Sequence, residues 1–182
     1  PKTLTYRGVF EEFVGVCPVS SSIDDLASAA RQHGLPLGAN WGDDRDEWLN
    51  VLFAEVIQPR LGTDQPAIVT HYPATQSALA RISPADPTVA ERFELFINGI
   101  ELANGYHELT CPIELEERHR IAVRQRRLDG KSALSPSSRL LSAMQSGLPQ
   151  CSGCALGLDR LLMVLVGAGS IDDVICFPIE RA

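Results

Sequence analysis

The sequence predicts an α+β fold, an antiparallel sheet flanked by helices, and three observations carry that prediction. Asn98-Gly99 separates two strand-like runs, 92–97 and 100–107, and Asn-Gly so flanked is the strongest short-range hairpin signal. A glycine-bounded strand at 154–158 leads directly into an apolar helix at 159–166. Elsewhere, apolar residues recur at helical spacing in segments bounded by caps and breakers. Hairpins joined by helices suggest an antiparallel sheet with helices packed on it.

Taken in order, residues 5–13 form a short amphipathic pattern with Phe10 and Phe13 three apart. Residues 23–33 read as a helix, with Ser22 as N-cap, Asp24 and Asp25 in the first turn and Gly34 as the stop. A third helix is expected to begin near Asp43. It carries Trp48, Leu49, Leu52, Phe53, Val56 and Ile57 at helical spacing and is closed by Pro59 and Gly62. The texture changes at Pro66, after which 67–71 reads as a strand ended by Pro73. Residues 112–128 read as a charged helix that starts with proline and acids. A short helix is expected at 138–145 before Gly147, and a closing strand at 174–178.

The 182 residues suit one domain, or part of a larger one. Apolar residues make up 45% and charged residues 21%, an ordinary globular profile. No apolar run approaches the ~20 residues that cross a bilayer, and no secretory signal pattern opens the chain. It starts at Pro1 without an initiator Met, so an upstream portion is expected. A net charge of −7 argues against a general nucleic-acid-coating surface. Five cysteines, an odd number scattered among apolar residues, suit reduced thiols and a cytoplasmic location.

Ideal pairing across Asn98-Gly99 matches Ile97 with Ile100, Phe96 with Glu101 and Glu94 with Ala103. Glu94 and Glu101 then share a face as diagonal neighbours ~7–8 Å apart. Carboxylates inside an apolar hairpin need a cationic partner. Mg²⁺ is one candidate, because it takes one or two carboxylates plus phosphate oxygens. The plainer alternatives are one Glu on a solvated sheet face, or a pair satisfied by arginines such as Arg92 and Arg160. Downstream, Asn104, Tyr106 and Glu108 alternate and share a face suited to an ammonium and its carbon stem, or to a plain polar strand edge. Strict alternation places this trio opposite Glu101, so a single pocket requires a bulge or a strong twist near Ala103 to Gly105. In the later strand, Gly153, Ala155 and Gly157 line one bare face against which a flat ring can lie. Arg160 follows at the strand-to-helix junction, where a guanidinium can grip phosphate.

These residues resemble a known family. Residues 92–96 (RFELF), 99–109 (GIELANGYHEL) and 153–160 (GCALGLDR) are similar to the C-terminal core of class II lysyl-tRNA synthetases. The last of these looks like the class II motif 3. Other details look closer to the paralogues that ligate a lysine-type amino acid to elongation factor P: residues 71–76 (HYPATQ), the ELANGYHEL wording, and Cys151-Ser152-Gly153 before Ala155. The synthetases usually carry Gly where this chain has Ala155. One methyl at a pocket wall shifts selectivity by ~1–3 kcal/mol, here towards a β-amino acid.

The resemblance implies that 1–182 is the C-terminal part of a synthetase-like catalytic domain, with motif 3 present and motifs 1 and 2 absent. It implies ATP and Mg²⁺ as cofactors, with metal at Glu94 and Glu101 and with Leu102 beside the nucleotide. Gly157 would lie under the adenine and Arg160 on the phosphates as the catalytic cation. Asn104, Tyr106, Glu108 and Ala155 would hold lysine or (R)-β-lysine, with Glu108 facing an amino group. The acceptor would be a lysine of elongation factor P, the intact enzyme a homodimer, and the isolated fragment inactive. Two rivals are a lysyl-tRNA synthetase fragment that charges tRNA(Lys) and a non-catalytic binding paralogue.

Other constellations carry less. Cys151-x-x-Cys154 lacks the two further ligands of a structural zinc site. The four histidines show no ligand spacing, and no Gly-x-Ser-x-Gly or Walker loop occurs. Arg118, Arg120, Arg124, Arg126 and Arg127 fit a solvated helix face better than a docking surface for an acidic protein or RNA.

Overall fold

The computed structural model describes residues 1–35, 44–132 and 139–178. The start expected at Asp43, the N-terminal residue expected for the 138–145 helix and the last four residues of the 1–182 domain lie outside them. The described residues form an α+β fold with the element order β1 (Lys2–Thr5), α1 (Tyr6–Phe13), α2 (Ile23–Gln32), α3 (Arg45–Leu52), β2 (Ala67–Pro73), β3 (Val89–Ile97), β4 (Ile100–His107), α4 (Pro112–Leu128), α5 (Arg139–Gln145), β5 (Ser152–Leu156) and α6 (Leu158–Val166). The strands lie in one sheet in sequence order, antiparallel except where β1 runs parallel to β2.

Local chemistry explains most boundaries. Thr5 caps α1, its hydroxyl accepting from Gly8 N at 3.0 Å. Ser22 and Asp25 form a reciprocal capping box on α2, and Gly34 follows with φ +71°. Helix α3 continues through a wide turn over Phe53–Ile57 and a tight one over Gln58–Arg60, as the missing N–H of Pro59 requires some irregularity.

Three expectations need correction. Strand β1 was not foreseen, because four residues running straight into a helix give no alternating pattern. Strand β5 and helix α6 each begin earlier than the sequence suggests, since Gly157 ends the strand pairing and caps α6. Residues 174–178 are not a strand. Ser170 and Asp173 cap a short 3₁₀ turn at Ile171–Asp173, and Val174 N and Ile175 N both bond back to the Ile171 carbonyl.

Helices α1 to α3 cover one face of β1 to β3. The core there includes Tyr6, Phe10, Leu26, Leu49, Leu52, Val69 and Phe96, all nearly inaccessible. Strand β5 and helix α6 contain no buried residue. The same sheet face therefore passes from covered at β3 to open at β5. No helix among the described residues is long and apolar enough to cross a membrane.

Candidate active site

The β3–β4 hairpin keeps the expected pairs Ile97–Ile100 and Phe96–Glu101, then departs from ideal register. Leu102 is an extra residue in β4, so Leu95 pairs with Ala103 and Glu94 pairs with Asn104 rather than with Ala103. The required bulge exists, one residue before the stretch where glycine made it plausible. Its effect is decisive for the site. Glu101 stays on the face of Phe96 and Glu94, and Asn104 and Tyr106 now join that face.

Strand β5 completes the arrangement. Asn104 pairs with Ala155 and Tyr106 with Gly153, so the small-residue face lies beside the polar trio. Glu108 N donates to the Cys151 carbonyl at 2.9 Å, and Gly157 N donates to the Leu102 carbonyl at 2.8 Å. Leu102 itself is buried at 3% exposure. Ala155 and Gly157 are exposed, which leaves the bare strand open along its length.

Glu94 sits at the covered end of this face at 8% exposure. A second register shift, between Thr70 and Tyr72, accompanies a positive φ of 58° at His71. It turns Tyr72 onto the core face, where its hydroxyl donates to Glu94 Oε2 at 2.6 Å. Asn104 Nδ2 donates to Glu94 Oε1 at 3.0 Å, and Arg92 pairs with the same oxygen. Both register shifts thus deliver a polar side chain to one buried carboxylate. Burial pushes the Glu94 carboxyl above its ordinary value, against the lowering effects of the Tyr72 hydrogen bond and the Arg92 charge, with the nearby Glu101 charge adding to the rise. The Tyr72 phenol is raised by burial and by the Glu94 charge.

Arg92 lies over the Tyr72 ring at 4.5 Å and donates to the Gln76 carbonyl at 2.7 Å. Asn104 Oδ1 is buried without a hydrogen-bond partner. Arg160, in the first turn of α6, donates to the Glu101 carbonyl at 2.9 Å and reaches Glu101 Oε2 at 3.4 Å. Its side chain remains 49% exposed. The Glu108 carboxylate has no hydrogen bond or ion pair among the described residues.

As a metal site, the pair Glu94 and Glu101 offers the oxygen donors a hard cation prefers. No cluster of three or more His, Cys, Asp or Glu side chains suited to a metal occurs among the described residues. Two carboxylates plus phosphate oxygens do not need one. Glu101 has an oxygen to offer, whereas Glu94 would have to loosen its bonds to Arg92 and Asn104. Cys151, Cys154 and Cys176 are free thiols.

Comparison with known proteins now decides the family. The family model described as tRNA synthetases class II (D, K and N) matches residues 44–181. The chain belongs to this family. It is 42% identical over 181 residues to the "Elongation factor P--(R)-beta-lysine ligase" of Haemophilus influenzae (strain PittGG) and 45% identical to the protein of that name from Pasteurella multocida (strain Pm70), covering 100% of this chain and 55% of each relative. The Vibrio cholerae protein of that name is 43% identical over 179 residues, with 98% and 55% covered. This class II synthetase-family chain thus spans about half the length of the curated relatives it matches.

Two partners of the site were not foreseen as such. Tyr72 stood in the HYPATQ stretch, but its approach to Glu94 depends on a positive φ at a histidine, which no composition rule signals. In sequence Gly153 is one of three small residues on a bare face, whereas in the structure its neighbour across that face is the Glu108 carboxylate.

Proposed function

We propose that the protein containing this chain activates lysine or (R)-β-lysine with ATP as an aminoacyl adenylate and transfers the acyl group to a lysine ε-amine of elongation factor P. The observation that carries this reading is the Leu102 bulge, which gathers Glu94, Glu101, Asn104 and Tyr106 on one face beside Gly153, Ala155 and Gly157. The names of the relatives supply the acceptor and the amino acid.

On this reading Gly157 and the backbone around Leu102 receive the adenine, and Arg160 holds phosphate with its exposed guanidinium edge. Glu101, with Glu94 behind it, would hold Mg²⁺, which when bound neutralises phosphate charge. Glu108 accepts from an ammonium of the amino acid, and Asn104 and Tyr106 lie along the carbon stem. Ala155 narrows the wall by one methyl. No protein nucleophile is needed, since positioning and charge stabilisation suffice for displacement at the α-phosphate. The intact enzyme is read as a cytoplasmic homodimer. Residues 1–182 by themselves carry part of an ATP site and are expected to give no exchange.

Pyrophosphate exchange followed by mass analysis of elongation factor P tests the proposal. With the intact protein, exchange should require a lysine-type amino acid and Mg²⁺, and the acyl mass should appear on one lysine of the factor. Charging of tRNA(Lys) in place of that mass shift would favour a synthetase, and amino-acid binding without any exchange would favour a binding paralogue.

A further inference from the structure

We infer that Gly153 is a specificity-determining residue: its lack of a side chain sets where the Glu108 carboxylate stands, and so how well the site holds an ammonium group. The inference rests on the reading of Glu108 as the amine acceptor and adds a residue to it.

A Cβ built on Gly153 would lie 2.3 Å from Glu108 Oε1 and 3.5 Å from Glu108 Cδ. The carboxylate therefore occupies the volume that any side chain at 153 would take. Its backbone is held in that place, because Glu108 N bonds the Cys151 carbonyl at 2.9 Å, two residues before Gly153. The pairing of Tyr106 with Gly153 puts the carboxylate over the same face as the aromatic ring. No described residue neutralises or bonds that carboxylate. An ammonium supplied from outside the chain is the chemical class that completes it.

The small residues of this strand are not equivalent. The nearest atoms to a Cβ on Gly157 would be Arg160 carbons at 3.5 Å or more, which is ordinary contact. Gly153 is not among the residues with positive φ, so glycine is required there for space and not for backbone conformation. The obstructing atom is the far end of a flexible side chain. An alanine at 153 is therefore accommodated by swinging Glu108 aside, while the β4–β5 ladder stays intact. The carboxylate must retreat by roughly an ångström, and a misplacement of that order in a positioned group costs up to about 100-fold.

The test uses the intact protein with lysine and (R)-β-lysine in pyrophosphate exchange, comparing wild type, Gly153→Ala, Glu108→Asp and the double variant. Gly153→Ala should raise the KM for the amino acid by about 10- to 100-fold and leave the KM for ATP within about twofold. In the Glu108→Asp background, where the shorter acid no longer reaches residue 153, the same substitution should cost less than about threefold. An unchanged amino-acid KM in Gly153→Ala overturns the inference, as does a parallel rise in both KM values or an equal penalty in both backgrounds. A wild-type protein without lysine-dependent exchange defeats the functional reading itself and takes this inference with it, which separates the two failures.

Discussion

Glu94 combines burial, a hydroxyl donor, an amide donor and a guanidinium in one place. Burial is the largest influence and raises its carboxyl above the ordinary value. A carboxyl whose folded pKa is raised binds its proton more tightly in the folded state. Its contribution therefore favours folding at low pH and is lost as pH rises from the ordinary carboxylate value through the folded one. Glu94→Gln removes this titration. Urea midpoints measured from about pH 4 upward should show the wild type losing stability relative to Glu94→Gln as pH rises through that window. A difference between the two proteins that does not change with pH would contradict the account of Glu94. The sequence announced an acid in an apolar strand at this position, and it offered Mg²⁺ or arginine as the partner. Arg92 pairs with Glu94 among the described residues, and the Tyr72 contribution was invisible because it follows from a backbone irregularity.

The hairpin that carries the site is anchored at its tip. Asn98 N donates to the Gly62 carbonyl at 2.9 Å and Gly99 N to the Leu61 carbonyl at 2.8 Å, so the turn is clasped to the end of the α3 segment. Gly62 has φ +74°, and a Cβ there would lie 2.4 Å from the Phe96 carbonyl oxygen, an atom of rigid backbone. Gly130 has φ +69° with nothing within 4 Å, which isolates conformational strain from collision. Gly130→Ala should cost about 1 kcal/mol, and Gly62→Ala at least about 2 kcal/mol more, as read from urea unfolding. Equal effects would mean that the clasp does not hold the hairpin. Caps, turn and long helix were legible because each has a local residue signature: Ser22, Asn98-Gly99 and Pro112 mark elements that the structure contains. The bulge was demanded by the chemistry of the trio, but its position at Leu102 was not readable, since leucine carries no bulge signature.

The described residues are unevenly buried across the sheet. Apolar burial is concentrated under α1 to α3, whereas β5 and α6 stay exposed, with Leu158 at 70% and Leu165 at 73%. The site lies where covered face gives way to open face, which is why Glu94 is buried while Ala155 and Gly157 are accessible. The sequence shows this layout only as a class, an antiparallel sheet with helices on it. The account depends on one convergence: the nucleotide residues and the amino-acid residues must belong to a single cleft because of the Leu102 bulge. The most direct test is a titration of the intact protein with a non-hydrolysable lysyl-adenylate analogue, following backbone amides by ¹⁵N–¹H NMR. The account predicts that the amides of Glu101 and Gly157 and those of Tyr106, Glu108 and Gly153 shift together, along one saturation curve. Shifts confined to one of these two groups, or two curves with separate midpoints, would contradict it.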